Sequence, residues 1–183
     1  VTGTDTQGNV GTDLSNNELL ISTGVLITPL NLAAICVGGG YSTGSFTIAE
    51  SQNGDIQTGT SKVFSVKLPN GFIFNTTAIP TFTDGTGTGL SGSVSFPATN
   101  VLKVTYTATA GSLSSPNTMT IAGVQVGTML TATSSGDLTN LGGSASILGL
   151  DVDTDLGDVG SIQPGAPVAS TPLFEYYTET YGG

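Results

Sequence analysis

Apolar and polar residues alternate with a period of two along most of the chain, in short stretches separated by Gly, Asn, Asp and Pro. This is the pattern of half-buried β-strands, and no stretch carries a helical period. In residues 62–68, Phe64, Val66 and Leu68 share one face, with Val63, Ser65 and Lys67 on the other. In residues 101–108 the same spacing turns Leu102, Val104, Tyr106 and Ala108 inward and Val101, Lys103, Thr105 and Thr107 outward. Phe46 and Ile48 likewise oppose Thr47 and Ala49. Further strands are expected at 33–37, 72–74, 79–83, 91–96, 118–126, 128–133 and 144–150. Around Gly123 the alternation changes phase, from Met119 and Ile121 to Val124 and Val126, which places a β-bulge there. Pro69-Asn70-Gly71 supplies a fixed φ followed by residues tolerant of positive φ, the signature of a tight turn. The glycine-rich run from Asp84 to Gly89 reads as a loop tip.

Strands at this spacing, roughly seven to nine of them, fit an all-β, immunoglobulin-like antiparallel β-sandwich with extended terminal segments. The sandwich is expected over 33–150, between an N-terminal extension (1–32) and an acidic, Pro-containing C-terminal extension (151–183). Within the first extension, residues 19–27 are apolar and β-branched, with Leu19, Ile21, Val25 and Ile27 at alternate positions. That segment is a strand in need of a sheet, and the expectation is that it is donated to a neighbouring copy. Residues 173–181, with Phe174 and Tyr176, are the second candidate.

Composition narrows the chemistry. The 183 residues include 13 Asp and Glu against three Lys (Lys62, Lys67 and Lys103), no Arg, no His and no Trp, for a net charge of −10. A chain of that sign cannot release counterions from a phosphate backbone, so nucleic acid is not expected as a partner. No apolar run is long enough to cross a bilayer as a helix, so membrane insertion is not expected either. Few charges together with abundant Thr, Ser and Gly suit an exported β-protein, and the expected location is extracellular or at the cell surface. The sequence opens at Val1 without a basic or apolar leader, so any export signal is expected either to have been removed or to lie outside these 183 residues. Cys36 is the sole cysteine, which leaves no internal disulfide, and its apolar run makes it a core residue rather than a nucleophile.

Without His, a nucleophile has only Lys or carboxylate groups to activate it, and no local motif pairs them; catalytic residues are therefore expected to be none. Gly38-Gly39-Gly40 lacks the Lys-Ser/Thr pair of a phosphate-binding loop and reads as a turn. Asp151, Asp153, Asp155 and Asp158 could aim oxygen ligands at Ca²⁺. They miss the EF-hand pattern, with Gly157 one place late and Ile162 where the bidentate Glu belongs. The alternative, and the expected one, is a solvated acidic strand or linker with no cofactor. Asn75-Thr76-Thr77 matches an N-glycosylation acceptor.

Five segments taken together are more specific than composition. They are Ile35-Cys36-Val37-Gly38-Gly39-Gly40-Tyr41-Ser42-Thr43, Phe46-Thr47-Ile48-Ala49-Glu50, Leu68-Pro69-Asn70-Gly71-Phe72-Ile73-Phe74-Asn75, Leu102-Lys103-Val104-Thr105-Tyr106 and Met119-Thr120-Ile121-Ala122-Gly123-Val124-Gln125-Val126. Over about residues 33–150 the chain resembles the β-sandwich repeats of large secreted surface proteins of Bacteroidota, many of them exported by the type IX route. The resemblance implies a cell-surface or matrix protein, adhesins included, with no catalytic residues to carry over. The chain is short and flanks one such unit with unusual ends, which favours a unit that polymerises. The expected function is a non-catalytic extracellular structural subunit that assembles with copies of itself into a filament or matrix. The alternative is a module of a large adhesin that binds surface glycans or a protein.

Overall fold

The computed structural model describes residues 2–4, 10–12, 24–32, 35–37, 40–85, 89–109, 116–129, 136–159 and 162–163. These form an all-β structure of fifteen strands with no helix among the described residues. In chain order they are β1 (Thr2–Thr4), β2 (Val10–Thr12), β3 (Leu26–Thr28), β4 (Leu30–Asn31), β5 (Ile35–Cys36), β6 (Ser42–Ala49), β7 (Gly59–Lys67) and β8 (Phe72–Phe74). They continue with β9 (Thr81–Asp84), β10 (Leu90–Ala98), β11 (Val101–Ala108), β12 (Thr118–Thr128), β13 (Gly136–Gly143), β14 (Asp155–Val159) and β15 (Ile162–Gln163).

Two main sheets enclose one core, and one of them curls into a half-barrel. The six-stranded sheet runs β10-β11-β7-β13-β14-β4. The five-stranded sheet runs β3-β6-β12-β8, with β9 beside β8 on the same flank of β12. The alternation read from the sequence sets their inner faces: Phe46, Ile48, Phe64, Val66, Leu68, Leu102, Val104, Tyr106, Met119 and Ile121 are all buried. Burying each large apolar side chain is worth about 1.5–3 kcal/mol, so this shared interior is what holds the sheets face to face. The bulge at Gly123 is present, with φ +76° and a register shift between Ala122 and Val124 against β6. It rotates the strand by one residue, and Val124 and Val126 are thereby buried on the same side as Ile121. At the expected tight turn the Phe72 N–H donates to the Pro69 carbonyl at 3.3 Å, and Gly71 takes φ +89°. This turn joins β7 to β8 across the two sheets rather than closing a hairpin.

The structure departs from the expected outline at several points. The two sheets extend beyond residues 33–150 at both ends. β3 and β4 lie before that span and β14 lies after it, and Val25, Leu30, Leu32, Leu156 and Val159 are core residues. Residues 144–150 do not form a strand; Ile147 makes an isolated bridge to Ile56 and a turn follows. The strand expected over 118–126 runs on to Thr128 as β12, and residues 130–133 of the next expected strand lie outside the described residues.

The first part of the chain divides between the sheets. β3 pairs antiparallel with β6, and after Pro29 alone β4 pairs parallel with β14. Pro lacks the N–H a continuing ladder would need, so the pairing breaks and changes partner there. β4 pairs with β14 and β5 with β15, both parallel and at the same sequence offset, Gly157 opposite Leu30 and Ile162 opposite Ile35.

Candidate functional site

Of the strand and the linker offered for the aspartate segment, the structure has a turn at 151–153 leading into the strand β14. Asn140, 1% exposed on β13, donates from Nδ2 to the carbonyls of Leu150 (3.2 Å) and Asp151 (2.8 Å). Its Oδ1 accepts from Gly142 N at 2.9 Å, and its backbone exchanges bonds with Asp153 and Thr154. This one amide is fully satisfied, so its burial is compensated and it fixes where the chain turns into β14. Asp151 and Asp153 are exposed on that turn, Asp153 with φ +66°. Asp155 and Asp158 are exposed on β14, and Asp155 Oδ1 accepts from Gly157 N at 2.8 Å. Among the described residues no group of three or more His, Cys, Asp or Glu is arranged to hold a metal ion.

β14 aligns Asp158 with Asp137 of β13. The negative charge of Asp155 is the largest influence raising the Asp137 carboxyl above its ordinary range; desolvation, the charge of Asp158 and a hydrogen bond to Asp158 add to it. Like charges are thus held side by side on the outer surface.

Asn75 sits at the end of β8. Its Nδ2 donates to Gln125 Oε1 at 2.8 Å, and its Oδ1 accepts from Thr77 N (3.2 Å) and Thr77 Oγ1 (2.7 Å). Of the assembly-strand candidates, Val25 is buried in its own core and Ile27 packs against that core from β3. These two already have a sheet, because β3 pairs with β6 of the same chain. Leu19, Ile21, Phe174 and Tyr176 lie outside the described residues, as does the side chain of Cys36.

Two surfaces emerge that no local motif announces. The first is the free edge of β10, nine residues without a charged side chain, at the end of the six-stranded sheet. Its beginning is held to the other sheet, where Leu90 N donates to Asp84 Oδ2 at 3.2 Å and the Phe82 ring lies over Gly92. From Ser93 onward no strand pairs with its far side among the described residues.

The second is the outer face of the five-stranded sheet. Its registers align Thr28, Thr47, Thr120 and Thr83 in one row across β3, β6, β12 and β9. Thr47 Oγ1 and Thr120 Oγ1 are 3.2 Å apart and hydrogen-bonded. Leu26, Ala49 and Thr118 form the row on one side, and Ser45, Ala122 and Thr81 the row on the other. Leu26 is 66% exposed at the corner. Asp84 pairs with Met119 and so shares its inward side, which leaves this face free of Asp, Glu and Lys side chains among the described residues. The three lysines and Asp137, Asp155 and Asp158 all belong to strands of the other sheet.

A scan against protein-family models finds no match, and searches of the curated proteins and of the solved structures find none either.

Proposed function

We propose that the protein is a non-catalytic structural subunit of an extracellular, cell-surface filament or matrix, joined to copies of itself by strand addition. The observation that carries this reading is the uncharged free edge of β10. Natural sheets block such edges with Lys, short strands, bulges or Pro, and here Pro97 and the register shift between Ser95 and Ala98 do so near the end of the strand, leaving the stretch before them open. In strand addition the backbone ladder supplies affinity and alternate side chains choose the partner. The donors are the segment containing Leu19 and Ile21 or that containing Phe174 and Tyr176. The sandwich is immunoglobulin-like in this reading, supported by the division of its first strand at Pro29, and akin to the Bacteroidota surface modules. Negative-stain imaging of the full chain is expected to show filaments. Ser93→Lys with Ser95→Lys, which places charge on the acceptor edge, is expected to leave monomers. Deletion of residues 1–23 does the same if the segment containing Leu19 and Ile21 is the donor, and filaments from that deletion would assign the role to the segment containing Phe174 and Tyr176. Deletion stops at Thr23 because β3 is part of the fold. Undiminished filaments from the double-lysine variant would sink the proposed acceptor.

The second reading is a glycan- or protein-binding module of a larger adhesin, favoured by the threonine row. Four threonines on successive strands about 4.8 Å apart suit a repeating hydroxylated ligand. Glycan-array binding that Thr47→Val with Thr120→Val abolishes, in a chain that stays monomeric, would favour it over assembly.

A further inference from the structure

Three dipeptides among the described residues have the sequence that lets a backbone nitrogen attack the preceding side chain: Asn53-Gly54, Asn70-Gly71 and Asp84-Gly85. Glycine imposes no Cβ on the approach, so by sequence alone all three are open to cyclisation. Their surroundings separate them. Gly54 N donates to the Glu50 carboxylate at 3.1 Å, and that carboxylate is itself buried. Gly85 N donates to the Thr118 carbonyl at 2.8 Å. In both, the attacking nitrogen has its proton engaged and its position set by an acceptor, and cyclisation must break that bond. Gly71 N has no acceptor among the described residues, while Asn70 is exposed and Gly71 takes φ +89°. The turn is closed by its neighbours, Phe72 N on Pro69 O and Met129 N on Gly71 O, so the Gly71 nitrogen has no hydrogen bond within the described residues to release.

We propose that Asn70 is a site of spontaneous succinimide formation, converting to aspartate and isoaspartate in the folded protein while Asn53 is protected. Base removes the Gly71 amide proton and the nitrogen attacks Asn70 Cγ. The N–Cγ bond forms, the Cγ–Nδ2 bond breaks, and ammonia leaves with a proton from solvent. Water then opens the ring at either carbonyl, giving aspartate or, with the main chain rerouted through the side-chain methylene, isoaspartate. Nothing is oxidised or reduced. The product adds a carboxylate to the turn that links the two sheets.

The lysines make the test direct, because cleavage after Lys62, Lys67 and Lys103 puts Asn53 in peptide 1–62 and Asn70 in peptide 68–103. Folded protein is incubated in warm, mildly alkaline buffer, digested, and the amide-to-acid mass gain is localised by fragmentation, with isoaspartate counted by methyltransferase labelling. Conversion at Asn70 is expected to run roughly tenfold or more faster than at Asn53, the difference that a hydrogen bond to a charged group sustains. In urea the two rates should converge, since the Glu50 contact is gone, and Asn70→Gln should remove the fast fraction in the folded chain. Equal rates in the folded protein, or a tenfold gap that persists in urea, would overturn the proposal.

Discussion

Glu50 Oε2 receives both N–H groups of Asn117, the backbone one at 2.7 Å and the side-chain one at 3.1 Å. Its other oxygen takes Gly54 N at 3.1 Å and Ile56 N at 2.7 Å, so one carboxylate closes the loop after β6 and ties it to the start of β12. Glu50→Gln turns an acceptor into a donor, which would face another donor at one of these oxygens. The expected loss is about 2–3 kcal/mol, read as a lower urea midpoint at unchanged slope. An unchanged midpoint would mean the carboxylate is not the anchor.

Two glycines with positive φ should respond differently to Ala. At Gly157, φ +132°, a Cβ would lie 2.3 Å from both Leu30 N and Leu30 O, so the β4 strand must move away. At Gly123, φ +76°, nothing stands within 4 Å and only the backbone conformation is strained. Gly157→Ala is expected to lose about 3 kcal/mol or more, against about 1 kcal/mol for Gly123→Ala. Comparable denaturation midpoints for the two variants would contradict the close parallel pairing.

Tyr106 is 1% exposed and its hydroxyl has no partner at hydrogen-bond distance among the described residues. Burial pushes its ionisation up to about 12, with the Ser146 backbone near enough to oppose this slightly. Because the folded value lies above the unfolded one, this group's contribution to stability is complete below about pH 10 and is lost as pH rises through 12. Tyr106→Phe should be neutral or stabilising by up to about 1 kcal/mol at pH 7, and should flatten the alkaline fall in melting temperature. A clear destabilisation would reveal a partner for the hydroxyl.

Asp137 follows the same sign from a different cause. Its carboxyl is raised chiefly by Asp155, so the folded chain holds the proton more tightly than the unfolded chain, and stability is lost as pH rises through the raised value. Asp137→Asn should raise the melting temperature slightly at neutral pH and low salt. The gain should shrink in high salt and vanish in acid, where the native carboxyl is already protonated. A gain independent of pH would point to packing instead of repulsion.

Long strands with apolar residues at every second place were legible in the sequence: β6, β7, β11 and, through its phase change, the bulged β12. β13 was not, because its buried face offers Leu138 and then Asn140, a polar residue whose burial depends on carbonyls ten and eleven positions onward. β14 was read as a solvated strand or linker, and its place in the core was missed, because Asp155 and Asp158 conceal the buried Leu156 and Val159. The threonine row brings together positions 28, 47, 83 and 120, and only the registers of four strands reveal it.

The parallel run of β4 and β5 beside β14 and β15 has a mechanical meaning. One lane enters from the N-terminal side and the other leaves toward the C-terminal side, both pointing the same way. A pull applied through residues before Gly24 and after Gln163 draws the lanes past each other along their length. Their cross-links are then loaded in shear, several at once, where an antiparallel pair pulled from its open end would unzip one link at a time. A chain held at both ends would meet tension with the stiffer of these two geometries.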